Sequence, residues 1–153
     1  MKIYILKGAV GSGKTTYLVN YCKGKKAIGG ILSPVINGKR HFLNIRSNEI
    51  KLMESFEVET ETLNIGRYKF SAKAFEWANK ILIDCTNKNY ETIIIDEIGP
   101  LELQGKGFAE TLKFLLSHHE TKSDLLLVVR ENLANDVLDY FGIKKENVFD
   151  FEK

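Results

Sequence analysis

Apolar residues fall along this chain in short unbroken blocks, separated by stretches where they recur every three or four positions. Blocks predict strands, and the wider spacing predicts helices with one apolar stripe. Ile3-Tyr4-Ile5-Leu6 predicts the first strand, and Leu18, Val19, Tyr21 and Cys22 predict a helix from about Gly13 to Cys22, stopped by Lys23-Gly24-Lys25-Lys26. Ile28, Ile31, Leu32, Val35 and Ile36 mark a strand from Ala27 to Ile36, with Pro34 as an edge or bulge position. Asn37-Gly38 then predicts a two-residue hairpin into a strand from Lys39 to Ile45. Extended pieces follow at Ile50 to Phe56, Glu57 to Leu63 and Ile65 to Phe70. Ser71 caps a helix striped by Phe75, Ala78, Leu82 and Cys85, widened by Trp77 and Ile81.

The second half repeats the alternation more plainly. Tyr90 to Ile95, with Ile93-Ile94-Ile95, and Leu125 to Val129 have the continuous β-branched and aliphatic character of strands buried on both faces of a parallel sheet. A helix from Phe108 to Ser117 lies between them, facing inward with Phe108, Leu112, Leu115 and Leu116. After them, Asn132 is placed to cap a last helix carrying Leu133, Val137, Leu138 and Phe141 and stopped by Gly142, and Asn147 to Phe151 reads as a closing edge strand. This order predicts an α/β fold over residues 1–153 as a single domain: three layers, a mostly parallel central sheet with helices on both faces, and an antiparallel hairpin insert beside the ligand edge.

Composition narrows the class. At 153 residues, with 22 basic and 20 acidic side chains, the net charge of +2 gives no bulk attraction to nucleic acid or anionic membrane. No apolar run approaches the roughly 20 residues that span a bilayer. Cys22 and Cys85 have no Cys-x-x-Cys spacing, so reduced thiols and a cytoplasmic setting are the expectation; a monomer is expected too, with no residue pattern that argues for it. No leader segment is expected, because Met1 and Lys2 run straight into the first strand.

Between the first strand and helix stands Gly8-Ala9-Val10-Gly11-Ser12-Gly13-Lys14-Thr15-Thr16, which fits the phosphate-binding pattern G-x-x-x-x-G-K-[ST]. Converging backbone N–H groups hold a phosphate chain, and glycines let the backbone turn and approach without a Cβ in the way. Lys14 then places a charge on the β- and γ-phosphates, the Thr15 hydroxyl is a ligand for Mg²⁺, and the helix N-terminus faces the anion. At the carboxyl end of the buried isoleucine strand, where α/β folds place ligands, come Asp96 and Glu97. Beside a phosphate loop these residues complete a Mg²⁺-nucleotide site, Asp96 supporting the metal and Glu97 orienting or deprotonating the attacking water.

Arg130, delivered to the same edge by its strand, reads either as a γ-phosphate arginine or as a surface ion pair with Glu131. The bland reading wins elsewhere. His118-His119 is a solvated helix end, Trp77 is packing, and the Lys23 to Lys26 cluster, lacking interleaved aromatics, is a helix terminus.

Ile94-Ile95-Asp96-Glu97-Ile98-Gly99-Pro100-Leu101-Glu102-Leu103, following the Gly8 loop, resembles the I-D-E-I-G-x-[ML]-E-L string of the THEP1-type nucleoside-triphosphatases, small P-loop enzymes. Gly29-Gly30, Gly66-Arg67-Tyr68 and Val128-Val129-Arg130 extend the likeness over nearly the whole chain. The resemblance implies a P-loop NTPase fold, Mg²⁺-dependent hydrolysis of several nucleoside triphosphates, the loop at Gly8 to Thr15, a metal-supporting Asp96 and a catalytic Glu97. The chain departs from the pattern at Ser33-Pro34-Val35-Ile36, where the family typically carries an acidic residue and an arginine, and Arg40 stands later as a substitute.

Two rivals share these features. Asp96 to Gly99 with Thr121-Lys122-Ser123-Asp124 imitates a GTP-dependent switch, but the second motif precedes its strand and so falls at the wrong edge. A small-molecule or nucleotide kinase uses the same loop. Such kinases usually close an arginine-bearing lid, and Arg40, Arg46, Arg67 and Arg130 are scattered.

Overall fold

The computed structural model describes residues 1–9, 11–55, 62–66, 68–118 and 120–153. Val10, Arg67, His119 and the strand expectation across 56–61 lie outside the described residues.

The strands expected from continuous apolar blocks form the parallel centre: β1 (Ile3–Gly8), β2 (Ile28–Leu32), β8 (Thr92–Ile98), β9 (Asp124–Arg130) and β10 (Val148–Asp150), in the order β10-β1-β9-β8-β2. Parallel strands need covered faces, and alternation supplies both from one run. Leu126 and Val128 of β9 pack with Leu6, Ile94 and Leu18 beneath α1 (Lys14–Cys22), while Leu125, Leu127 and Val129 face the larger opposite core. That core is closed by α2 (Ala72–Cys85), α4 (Ala109–Ser117) and α5 (Ala134–Tyr140), with Phe42, Phe75 and Phe108 in tilted and edge contact at its centre. The Ser71 hydroxyl caps α2 as expected, accepting from the Ala74 amide at 3.2 Å.

The insert differs in detail from the expectation. The predicted strand from Ala27 to Ile36 stops at Leu32, because Pro34 cannot donate to a ladder, and resumes as β3 (Val35–Ile36). Asn37 and Gly38, at φ 51° and 74°, make the hairpin into β4 (Lys39–Asn44), pairing Val35 with Arg40. β4 also pairs with β2 and with β5 (Ile50–Leu52), so the insert extends the central sheet; β6 (Thr62–Ile65) and β7 (Tyr68–Ser71) form a separate ribbon. Trp77 is half-buried against the larger core, as packing predicts.

Two further boundaries are corrected. Asn132 caps no helix: it lies within a short 3₁₀ turn from Glu131 to Leu133, where no side-chain cap forms. Strand β8 runs past Asp96 to Ile98 and leads into a four-residue helix, α3 (Pro100–Leu103), too short to show a periodicity.

Candidate active site

The parallel register brings the phosphate loop, Asp96-Glu97 and Arg130 to one carboxyl edge. Gly8 pairs with Arg130 across β1 and β9, and Ile31 pairs with Ile95 across β2 and β8. Between these strand ends opens a cleft of about 510 Å³, lined by the loop from Gly11 through Thr16 and by Asp96, Glu97, Arg40 and Arg130. Its size suits a nucleotide.

In the loop, Gly11 and Gly13 stand at φ 74° and 82°, the left-handed region that glycine enters without a Cβ penalty. At Gly8 the limit is space instead: a Cβ there would meet the Ser12 Oγ at 2.7 Å and displace that side chain. Lys14 folds back over this turn, its Nζ donating to the carbonyls of Ala9 at 2.8 Å and Gly8 at 3.0 Å and to Ser12 Oγ at 3.3 Å. Partial burial lowers its pKa, against the raising effects of Glu97 and Asp96. Helix α1 has Gly13 at its N-cap and no side-chain cap, so its first amides remain for an anion.

Asp96 is buried at the end of the isoleucine run. Its Oδ2 accepts the Thr15 hydroxyl at 2.7 Å and the Ser33 amide at 3.0 Å, while Ser33 Oγ donates to the Asp96 carbonyl at 3.1 Å. Burial pushes this carboxyl up to about 6, with the two donated hydrogen bonds pulling the other way. A hydroxyl and a carboxylate oxygen side by side are the hard donors that Mg²⁺ prefers. Among the described residues no group of three or more His, Cys, Asp or Glu could hold a metal. The Thr15 hydroxyl and the Asp96 carboxylate fit an ion that takes most of its ligands from phosphate and water.

Next to Asp96 the ladder bulges. Ile95 pairs with Leu127 and Ile98 with Val129, so β8 spends one residue more than β9 on the step, and Glu97 sits at φ 75°. A non-glycine residue there is strained by about 1–2 kcal/mol, and such strain concentrates at functional positions. Two arginines hold the carboxylate: Arg40 Nη1 lies 2.8 Å from Oε2 and Arg130 Nη2 lies 3.4 Å from Oε1. The Arg130 partner is thus Glu97 and not Glu131. From the far side, buried Glu102 accepts the Gly99 amide at 3.0 Å and the Phe108 amide at 3.4 Å, fixing the turn after Glu97.

A model of the NTPase family matches residues 3–151. The chain belongs to the NTPase family. The likeness to known proteins runs well beyond the loop: the nucleoside-triphosphatase THEP1 of Methanothermobacter thermautotrophicus is 36% identical, over 84% of this chain and 74% of its own length. Two solved structures share the fold at 20% identity: THEP1 from the hyperthermophile Aquifex aeolicus, TM-score 0.72 over 98% of this chain and 88% of that one, and a human cancer-related nucleoside triphosphatase, TM-score 0.69 over 99% and 88%.

Sequence reasoning missed Ser33 and left Arg40 without a partner. Ser33 could be found only by knowing that β2 lies beside β8. For Arg40, the Asn37-Gly38 turn fixes the partner across the hairpin, Val35, but not the fold of the hairpin toward the cleft. The guanine-like motif stays outside the site: Asp124 accepts the Lys2 amide at 2.7 Å at the amino end of β9, and Thr121 is buried there. His118 stacks on Phe114 at the end of α4, with ring centroids 5.0 Å apart. The thiols of Cys22 and Cys85 are free and pushed up to about 11 by burial. Among the described residues no helix is long and apolar enough to cross a membrane.

Proposed function

We propose that this chain hydrolyses nucleoside triphosphates to the diphosphate and inorganic phosphate, with Mg²⁺, as a cytoplasmic monomer. The observation that carries this reading is the Glu97 carboxylate, held in a strained turn at the mouth of the phosphate cleft by Arg40 and Arg130. The loop amides and Lys14 hold the β- and γ-phosphates, Lys14 exchanging loop carbonyls for phosphate oxygens. Thr15 and Asp96 would hold Mg²⁺, which supplies charge neutralisation between the phosphates. Glu97 orients a water and takes its proton as the new O–P bond forms and the bond to the leaving diphosphate breaks. Arg130 neutralises charge on the transferred group, and most of the rate comes from position and fixed charge.

Water as acceptor is favoured by the recess behind Glu97. It is bounded by Met53, Tyr68, Phe70, Leu101 and Phe108 and has a volume of about 60 Å³. Among the described residues that volume matches a few waters. The test is phosphate release from ATP, GTP, CTP and UTP with and without Mg²⁺. Comparable turnover of the bases is expected, with none from Lys14→Ala; strong selectivity for GTP, or phosphate passing to a nucleoside faster than to water, would overturn the reading.

A further inference from the structure

The two arginines and Glu97 do more than neutralise one another. Each oxygen of the single carboxylate is taken by a different guanidinium, at 2.8 and 3.4 Å. One negative charge balances only one of the two cations, and Lys14 adds a third beside Asp96. The Nε proton of Arg130 is also buried with no acceptor among the described residues. A buried donor without a partner is costly, so an additional acceptor, water or a ligand oxygen, would complete this arrangement. A planar guanidinium fork is suited to phosphate oxygens, and two forks converging on one edge of a phosphate cleft are suited to a group with more charge and more oxygens than a carboxylate.

Arg40 arrives on the insert hairpin and not on the parallel sheet core. It stands across from Val35, which with Pro34 lines the cleft, and its guanidinium lies 5.7 Å from the centre of the Tyr68 ring. The hairpin thus brings a charge to the Glu97 end of the cleft, beside the one supplied by β9.

Building on the hydrolase reading, we infer that Arg40 is a second γ-phosphate arginine, and that the Arg40–Glu97–Arg130 clamp distinguishes nucleoside triphosphates from diphosphates. The γ-phosphate competes with Glu97 for both guanidiniums; when it draws them off, the carboxylate is released to accept the proton of water. A diphosphate engages the loop and Lys14 and leaves the clamp shut. Product and substrate therefore differ in whether Glu97 is free.

The test compares wild type with Arg40→Gln and Arg40→Lys. It reads phosphate release together with the affinities of a nucleoside diphosphate and of the matching non-hydrolysable imido-triphosphate. In Arg40→Gln, kcat should fall about 100-fold, less than the full value of an arginine because Arg130 remains. The affinity ratio of triphosphate to diphosphate should shrink about tenfold while diphosphate affinity stays unchanged, which also certifies the fold. Arg40→Lys, keeping charge without the fork, should recover part of that ratio and little of kcat. Wild-type kcat and ratio in Arg40→Gln would overturn the inference, as would equal loss of diphosphate and triphosphate binding, the mark of a structural role. Wild-type protein that releases no phosphate from any triphosphate would instead overturn the hydrolase reading beneath it.

Discussion

After β1 the chain enters α1 through Gly11 and Gly13, at φ 74° and 82°; after Ile95 strand β8 reaches the same left-handed region, at φ 75°, with Glu97. The two turns lie on one edge of one sheet and face one cleft. In the first, glycine makes the conformation nearly free, and the backbone itself is the proposed phosphate ligand. In the second, a residue with a side chain is forced into a conformation it disfavours, and that side chain is the group we propose activates water. Arg40 and Arg130 hold it on the cleft side, and Glu102 fixes the following residues through the Gly99 amide. On the proposed mechanism, strain falls at the reacting side chain, and the turn that only binds is left nearly free of it.

Relieving the glutamate turn has the largest effect. Glu97→Gly should cost about 10²- to 10⁴-fold in phosphate release by removing the proton acceptor, yet leave fold stability within about 1 kcal/mol, because the backbone strain relieved offsets the two partly exposed ion pairs lost. Steady-state kinetics beside a denaturant titration measures both halves; a large loss of stability would mean that Glu97 is structural.

The converse change, Gly13→Ala, introduces strain into the glycine turn. No atom lies within 4 Å of a Cβ there, so the cost is conformational, about 1 kcal/mol in unfolding free energy, with nucleotide affinity reduced about tenfold. Unchanged affinity would show that the loop tolerates a different path.

A change with no direct part in phosphate release probes the support behind Glu97. Burial pushes the Glu102 carboxyl from 4.5 to about 8, against hydrogen bonds from the Gly99 and Phe108 amides. A folded-state pKa above the unfolded one means that the folded protein binds the proton more tightly. The stability Glu102 contributes is complete below 4.5 and is lost as pH rises to about 8. Urea midpoints from pH 5 to 8 should decline in wild type and decline less in Glu102→Gln; identical slopes would remove Glu102 as the cause.

The glycine turn was legible in the sequence, and the glutamate turn only as chemistry. Gly8 to Thr15 declares its conformation because glycine spacing and φ requirement are the same fact. Ile93-Ile94-Ile95 likewise declares a strand buried on both faces, and Asp96-Glu97 their place at its end. Nothing in a glutamate announces a positive φ, and nothing local announces a bulge. Ser33 and Arg40 were harder still, since their roles depend on β2 lying beside β8 and on a hairpin folding toward the cleft, both long-range choices. Pro34 marked where the strand would break without saying what the break would deliver. Asn132 failed as a cap because the chain after Arg130 tightens into a 3₁₀ turn before α5 begins.

The division between a binding turn and a reacting turn is tested most directly by Glu97→Gln, which keeps the side chain's shape and removes its basicity. Titration with nucleoside triphosphate and single-turnover phosphate release on the same protein should give affinity at least equal to wild type and a release rate lower by at least about 100-fold. Undiminished release would contradict the assignment of Glu97 as the group that activates water.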